Sequence, residues 1–142
     1  MSYKHSWSAF EKLIYDSFYK RGYLIKKLDT SVQKQVSDFV TFCDGKLLFL
    51  EAKSTRANSF PFSMVKAHQA IGLHGMSAYK HVHGGLMIDM RKHSRIFYVP
   101  VQSLQMALTE GKASMTIQDL ESMGIEVYKK DGLLDLSFVE EL

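Results

Sequence analysis

The chain has 142 residues, 46% hydrophobic and 12% aromatic, enough apolar material for one core, and a single domain over 1–142 is expected. No run approaches the roughly 18 to 20 apolar residues of a membrane-spanning helix; Met1-Ser2-Tyr3-Lys4-His5 lacks the apolar block of a secretion signal, and the lone Cys43 excludes an intrachain disulfide framework, so a cytoplasmic protein is expected. The formal charge of +3 hides an asymmetry: residues 1–109 carry fifteen Lys and Arg against seven Asp and Glu, or +8, whereas residues 110–142 carry three against eight, or −5, so a polyanion is expected on the first part.

Ser8 to Tyr19 places Phe10, Leu13, Ile14, Ser17 and Phe18 at helical spacing, and Ser8 three residues before Glu11 matches a capping box. Gly22 stops this helix, Tyr23-Leu24-Ile25 begins a strand, and Asp29-Thr30-Ser31 predicts a loop. Two strands follow, about Ser37 to Phe42 and Lys46 to Ala52, around Asp44-Gly45, a strong two-residue hairpin signal. A polar loop is predicted over Ser54 to Ser59, then a helix over about Ser63 to Tyr79 with Met64, Ala67, Ile71 and Ala78 inward. His81 and His83 fall in a loop before Gly84-Gly85, which punctuates the entry to a strand from Leu86 to Met90; Arg91-Lys92-His93-Ser94 turns the chain into Arg95 to Val99. Pro100 opens a helix to about Leu108, a second runs from Thr116 to Met123, and Ile125 to Tyr128 reads as a late edge strand. The order of helices and strands is that of an α/β protein with a mixed sheet.

Ser37-Asp38-Phe39-Val40 and Leu48-Phe49-Leu50-Glu51-Ala52-Lys53 put two carboxylates and a lysine on adjoining strands. Side chains alternate on a strand, so Glu51 and Lys53 share a face and Ala52 points away from it. Asp38 approaches Glu51 from the neighbouring strand. A charged group after the apolar run Leu47-Leu48-Phe49-Leu50 is costly unless compensated. Hard cations take oxygen ligands, and Mg²⁺ accepts one or two carboxylates with waters and substrate phosphate. Asp38, Glu51 and the Ala52 carbonyl are therefore the candidate metal ligands, for Mg²⁺ with Mn²⁺ as a substitute. Lys53 is the group placed to orient or deprotonate water and to offset transition-state charge. The chemistry indicated is metal-assisted phosphodiester hydrolysis.

These residues resemble the PD-(D/E)XK nuclease superfamily, whose signature is an Asp on one strand and Glu-x-Lys on the next. They are closer to RecU-type Holliday junction resolvases, including phage versions. The resemblance runs from about Ser8 to Pro100 and rests on Asp38, Glu51-Ala52-Lys53, Ser59-Phe60-Pro61 and His68-Gln69. It implies a restriction-endonuclease-like core, with a central mixed β-sheet flanked by helices. It also implies a homodimeric nuclease acting on branched DNA, the four-way junction above all. By it, Glu11 is the additional acidic residue of the first helix, and Gln69 the helix glutamine that supports the catalytic lysine or the attacking water. Ser37 stands where the superfamily name has Pro, and Leu28 to Val36 is shorter than the long stalk of RecU proteins.

Lys20, Arg21, Lys26, Lys27 and Lys34 surround the first strand and loop, Arg56 follows the Glu-x-Lys strand, and Lys66 lies on the next helix. With Thr30, Ser31 and Thr55 as hydrogen-bond donors, Lys26, Lys27, Lys34, Arg56 and Lys66 are candidate phosphate contacts. None of the six histidines makes a metal-site spacing. Neither a phosphate-binding Gly-x-x-x-x-Gly-Lys-Ser/Thr loop nor a nucleophile elbow occurs. Two active sites for paired nicks require a twofold dimer. Trp7, Phe10, Leu13, Ile14 and Phe18 exceed what one helix face must bury, so the first helix is the expected dimer contact. A restriction-like or repair endonuclease, and a non-catalytic DNA-binding protein with a structural acidic pair, are the competing readings.

Overall fold

The computed structural model describes residues 6–29 and 35–142. Helix α1 spans Ala9–Tyr19. Its start is the expected capping box: the Glu11 backbone N–H donates to Ser8 Oγ at 3.1 Å, and the Ser8 N–H donates to Glu11 Oε1 at 3.0 Å. Strand β1 (Leu24–Lys27) follows, then β2 (Phe39–Cys43) and β3 (Lys46–Thr55). Between β2 and β3, Asp44 at φ 52° and Gly45 at φ 76° are both left-handed, which is the tight turn whose twist suits a hairpin.

After β3 come β4 (Phe60–Pro61), a 3₁₀ turn over Phe62–Met64, helix α2 (Ala67–Ser77) and β5 (Val82–Met90). A second 3₁₀ turn, Arg91–His93, leads into β6 (Arg95–Pro100), α3 (Val101–Thr109), β7 (Ser114–Met115), α4 (Ile117–Met123) and β8 (Ile125–Val127). The short strands β9 (Lys129–Lys130) and β10 (Leu133–Leu134) precede a 3₁₀ segment, Leu136–Glu141. Six strands form the central sheet in the order β1-β2-β3-β5-β6-β8. Strands β3 and β5 are parallel and every other pairing in this sheet is antiparallel. A parallel pair needs a crossover, and α2 supplies it. This is the α/β, mixed-sheet architecture expected from the sequence.

Each face of the sheet carries its own core. On one, Phe10, Ile14 and Phe18 of α1 pack with Phe39, Leu48 and Leu50 of the sheet and with Phe138 and Val139 of the C-terminal segment. On the other, Leu73 of α2, Val101 and Leu104 of α3, and Leu120 of α4 pack on Leu86, Ile88 and Phe97. Cys43 is a buried thiol, with its pKa pushed up to about 11 by burial first and by neighbouring Asp44.

Four expectations are corrected. The helix over Ser63 to Tyr79 is shorter, and its inward face is different: Leu73 is fully buried, whereas Ile71 is 72% exposed and Ala67 and Ala78 are exposed. The reason lies across the interface, where α2 presses so close to β5 that a Cβ at Gly84 would stand 2.5 Å from the Leu73 carbonyl oxygen. Gly84 and Gly85 therefore lie inside β5, not ahead of it, and His83 is a strand residue paired with Leu48. The polar Ser54-Thr55 belongs to β3 because the parallel ladder continues to the pairs Ser54↔Asp89 and Thr55↔Met90. Finally, Trp7, Phe10, Ile14 and Phe18 are 8, 6, 0 and 0% exposed. They belong to the chain's own core, together with part-buried Leu13, and are not available as a dimer contact.

Candidate active site

The hairpin and α2 bring the predicted residues together. Leu48 and Leu50 enter the α1-side core while Phe49 packs on the other side, so alternation sends Glu51 and Lys53 toward α2. Phe39 pairs with Leu50, which sets Asp38, one residue earlier, across from Glu51. Asp38 Oδ2 accepts a hydrogen bond from the Ala52 backbone N–H at 2.8 Å. Lys53 Nζ lies 3.1 Å from Glu51 Oε2.

Gln69 sits in the first turn of α2, where its amide is used at both ends. Its Oε1 accepts from the Lys66 backbone N–H at 3.2 Å and its Nε2 donates to Glu51 Oε2 at 2.8 Å. The first bond completes part of the helix start; the second fixes the plane of the Glu51 carboxylate. Glu51 is only 3% exposed. Burial, and then the charge of Asp38 and a hydrogen bond shared with it, push the Glu51 carboxyl up to about 7, against the opposing ion pair with Lys53.

Lys27, a candidate DNA contact by its sequence position, turns its ammonium toward acidic groups instead. Its Nζ lies 3.2 Å from Asp38 Oδ1 and 3.2 Å from Glu11 Oε2. Burial lowers its pKa, and the Asp38 and Glu11 carboxylates outweigh this and hold it raised. Glu11 is thus both the capping residue of α1 and the outer member of a Glu11–Lys27–Asp38 chain. The alternation of β1 carries no hint of this, because it depends on how α1 packs on the strand.

Of the other candidate DNA contacts, Lys26, Arg56 and Lys66 are exposed and Thr55 is half-buried, with the Thr55 hydroxyl accepting from the Ala57 N–H at 3.1 Å. Thr30, Ser31 and Lys34 lie outside the described residues. Arg91 and Lys92 join Arg56 around one hollow, a grouping that sequence reasoning misses because it requires knowing that β3 and β5 end side by side.

Among the described residues, no cluster of three or more His, Cys, Asp or Glu side chains is arranged to hold a metal ion. The carboxylates that could hold one are Asp38 and Glu51. That set suits a hard ion that keeps waters and takes further oxygens from a substrate. The raised pKa of Glu51 beside Asp38 marks a place where a cation would relieve repulsion.

Among the described residues, no helix is long and apolar enough to cross a membrane. A search of curated proteins finds no match. Among solved structures, the chain is similar to Hjc of Archaeoglobus fulgidus, a Holliday junction resolvase from an archaeal hyperthermophile. The TM-score is 0.62 at 14% identity, over 82% of this chain and 93% of that one; at such identity the likeness is one of fold. A family model described as Recombination protein U (RecU) matches residues 14–140. With nearly its whole length matched, including the strands that carry Asp38, Glu51 and Lys53, the chain belongs to the recombination protein U family.

Proposed function

We propose that the chain is a divalent-metal-dependent, structure-selective DNA endonuclease. In this reading it resolves four-way junctions as a homodimer, one nick per protomer. The observation that carries the proposal is the convergence of Asp38, Glu51, Lys53 and Gln69 at one end of a buried strand. Family membership and the fold shared with an archaeal resolvase support the choice of substrate.

Asp38 and Glu51, with the Ala52 carbonyl, would hold Mg²⁺ or Mn²⁺. The ion supplies Lewis-acid charge to the scissile phosphate and lowers the cost of deprotonating water. The Ala52 N–H and Lys27 hold both oxygens of Asp38 in place before DNA arrives. Gln69 keeps one oxygen of Glu51 oriented. Lys53, pre-placed by Glu51, offers a positive charge and a proton donor where the phosphorane develops charge, without reorganisation at the moment of reaction. Glu11 acts through Lys27 and so positions Asp38.

Cleavage assays on a four-way junction, a linear duplex and a flap, each with Mg²⁺ and with chelator, test the proposal. The expected result is Mg²⁺-dependent, symmetrically paired cuts on the junction, with Glu51→Gln reducing the rate by at least about 10²-fold while leaving DNA binding largely intact. Equal cleavage of all three substrates favours a restriction-like or repair enzyme. Near-normal turnover of Glu51→Gln would falsify the assignment of the site.

A further inference from the structure

Acidic groups of the site compensate Lys27 and Lys53, Glu121 and Glu126 compensate Arg95, and Asp119 compensates Lys112. Arg56, Arg91 and Lys92 are different. All three are exposed, and they line one open hollow of about 520 Å³ with no carboxylate among its lining residues. Among the described residues none of them forms an ion pair; Arg91 also borders a neighbouring hollow with Asp89 and Glu126, and Asp89 senses its charge while hydrogen-bonded to Ser54. Gathering three like charges is unfavourable unless an anion offsets them.

Their grouping is built by the fold. Strands β3 and β5 are parallel and finish together at the pair Thr55↔Met90, so Arg56 and the Arg91–His93 turn emerge at the same end of the sheet. The two segments are then fastened to each other, since the His93 imidazole Nε2 lies 3.1 Å from the Asn58 carbonyl oxygen. That contact requires the ring nitrogen to carry its proton and donate. Ser94, left-handed at φ 53°, closes the turn behind it.

We propose that Arg56, Arg91 and Lys92 form a subsite for a DNA backbone phosphate beside the cleavage centre, with His93 as the clip that holds its two halves together. This rests on the proposed function and adds a second phosphate contact to it. Arg56 lies three residues beyond Lys53 on the same extended segment, a span of about 10 Å at 3.3 Å per residue. The subsite therefore takes a backbone phosphate within about three nucleotides of the cut, on either the continuing strand or the one across the branch point. Guanidinium groups supply planar paired donors to that phosphate and Lys92 a point charge. The contact is with backbone and carries no base preference.

The test is junction binding by Glu51→Gln protein as a function of salt, with and without Arg56→Ala, Arg91→Ala and Lys92→Ala together. It is read alongside phosphate-ethylation interference on the same junction. The triple change is expected to flatten the slope of log K against log salt by about one to three units and to abolish interference at the predicted phosphates. Replacing Arg91 by Lys and Lys92 by Arg preserves charge and is expected to retain most of the slope. His93→Ala, which leaves Arg56, Arg91 and Lys92 in place, is expected to weaken the interference signal with little change in slope. An unchanged slope and an unchanged interference pattern in the triple variant would overturn the subsite, even if the protein cleaves junctions as proposed. Failure of the wild-type protein to cleave any branched DNA, with the triple change still flattening the slope, would instead overturn the proposed function and leave the subsite standing.

Discussion

Glu51 concentrates the energetics of the site in one side chain. It is 3% exposed, and its carboxyl is raised from an ordinary 4.5 to about 7 by burial and by Asp38. A folded-state pKa above the unfolded value means that the folded protein binds the proton more tightly. The resulting contribution is fully present below about pH 4.5 and is lost as pH rises through about 7. A shift of this size is worth on the order of 3 kcal/mol. Metal-free protein in chelator is therefore expected to melt lower at pH 8 than at pH 5, and Glu51→Gln is expected to flatten much of that difference. Adding Mg²⁺ at pH 8 should raise the melting temperature of the wild type more than that of Glu51→Gln. Thermal melts across pH decide it; identical pH profiles for the two proteins would refute the assigned burial cost.

Helix α2 matters because it brings Gln69 to Glu51, and its seat on β5 depends on glycine. Gly84→Ala places a Cβ 2.5 Å from the Leu73 carbonyl oxygen, a backbone contact that cannot swing aside as a side chain can. The expected cost is about 1–3 kcal/mol in urea unfolding, with cleavage reduced as α2 is pushed off the sheet. A Cβ at Gly75, in the same helix, would meet nothing within 4 Å. Gly75→Ala should stabilise by about 0.5–1 kcal/mol through helix propensity alone. If both changes had the same sign, close packing at Gly84 would not be what sets the helix. The same contact explains why the inward face of α2 departs from its hydrophobic pattern: Ile71 is the more hydrophobic choice, but the close approach at Gly84 turns Leu73 inward.

At the scale of the whole molecule, the proposed paired cuts require two active centres, and the described residues present one candidate site. The prediction is a twofold dimer, at least on the junction. Burial of Trp7, Phe10, Ile14 and Phe18 removes the apolar face of α1 as the contact. The exposed apolar side chains that remain include Leu24 and Phe42, paired across β1 and β2, and Ile71 on α2. Sedimentation at micromolar concentration, free and with junction DNA, is expected to give two protomers per junction. A single protomer in both conditions would leave a simple nicking enzyme and remove the paired-cut mechanism.

Local chemistry made several features legible in the residues alone. The Ser8–Glu11 box starts α1, Asp44-Gly45 folds the hairpin, and strand alternation puts Glu51 and Lys53 on one face, because each depends on contacts within a few residues. The pairing of Asp38 with that face followed from the hairpin. What lay beyond reach was whatever depends on contacts distant in sequence. The parallel pairing of β3 with β5 decided that Ser54 and Thr55 are strand, that Gly84 and Gly85 are interior, and that Arg56 meets Arg91 and Lys92. The packing of α1 on β1 decided that Lys27 faces Asp38 and Glu11. Hydrophobic patterning says that a helix has a buried side; only the surface it meets decides which residues that side contains.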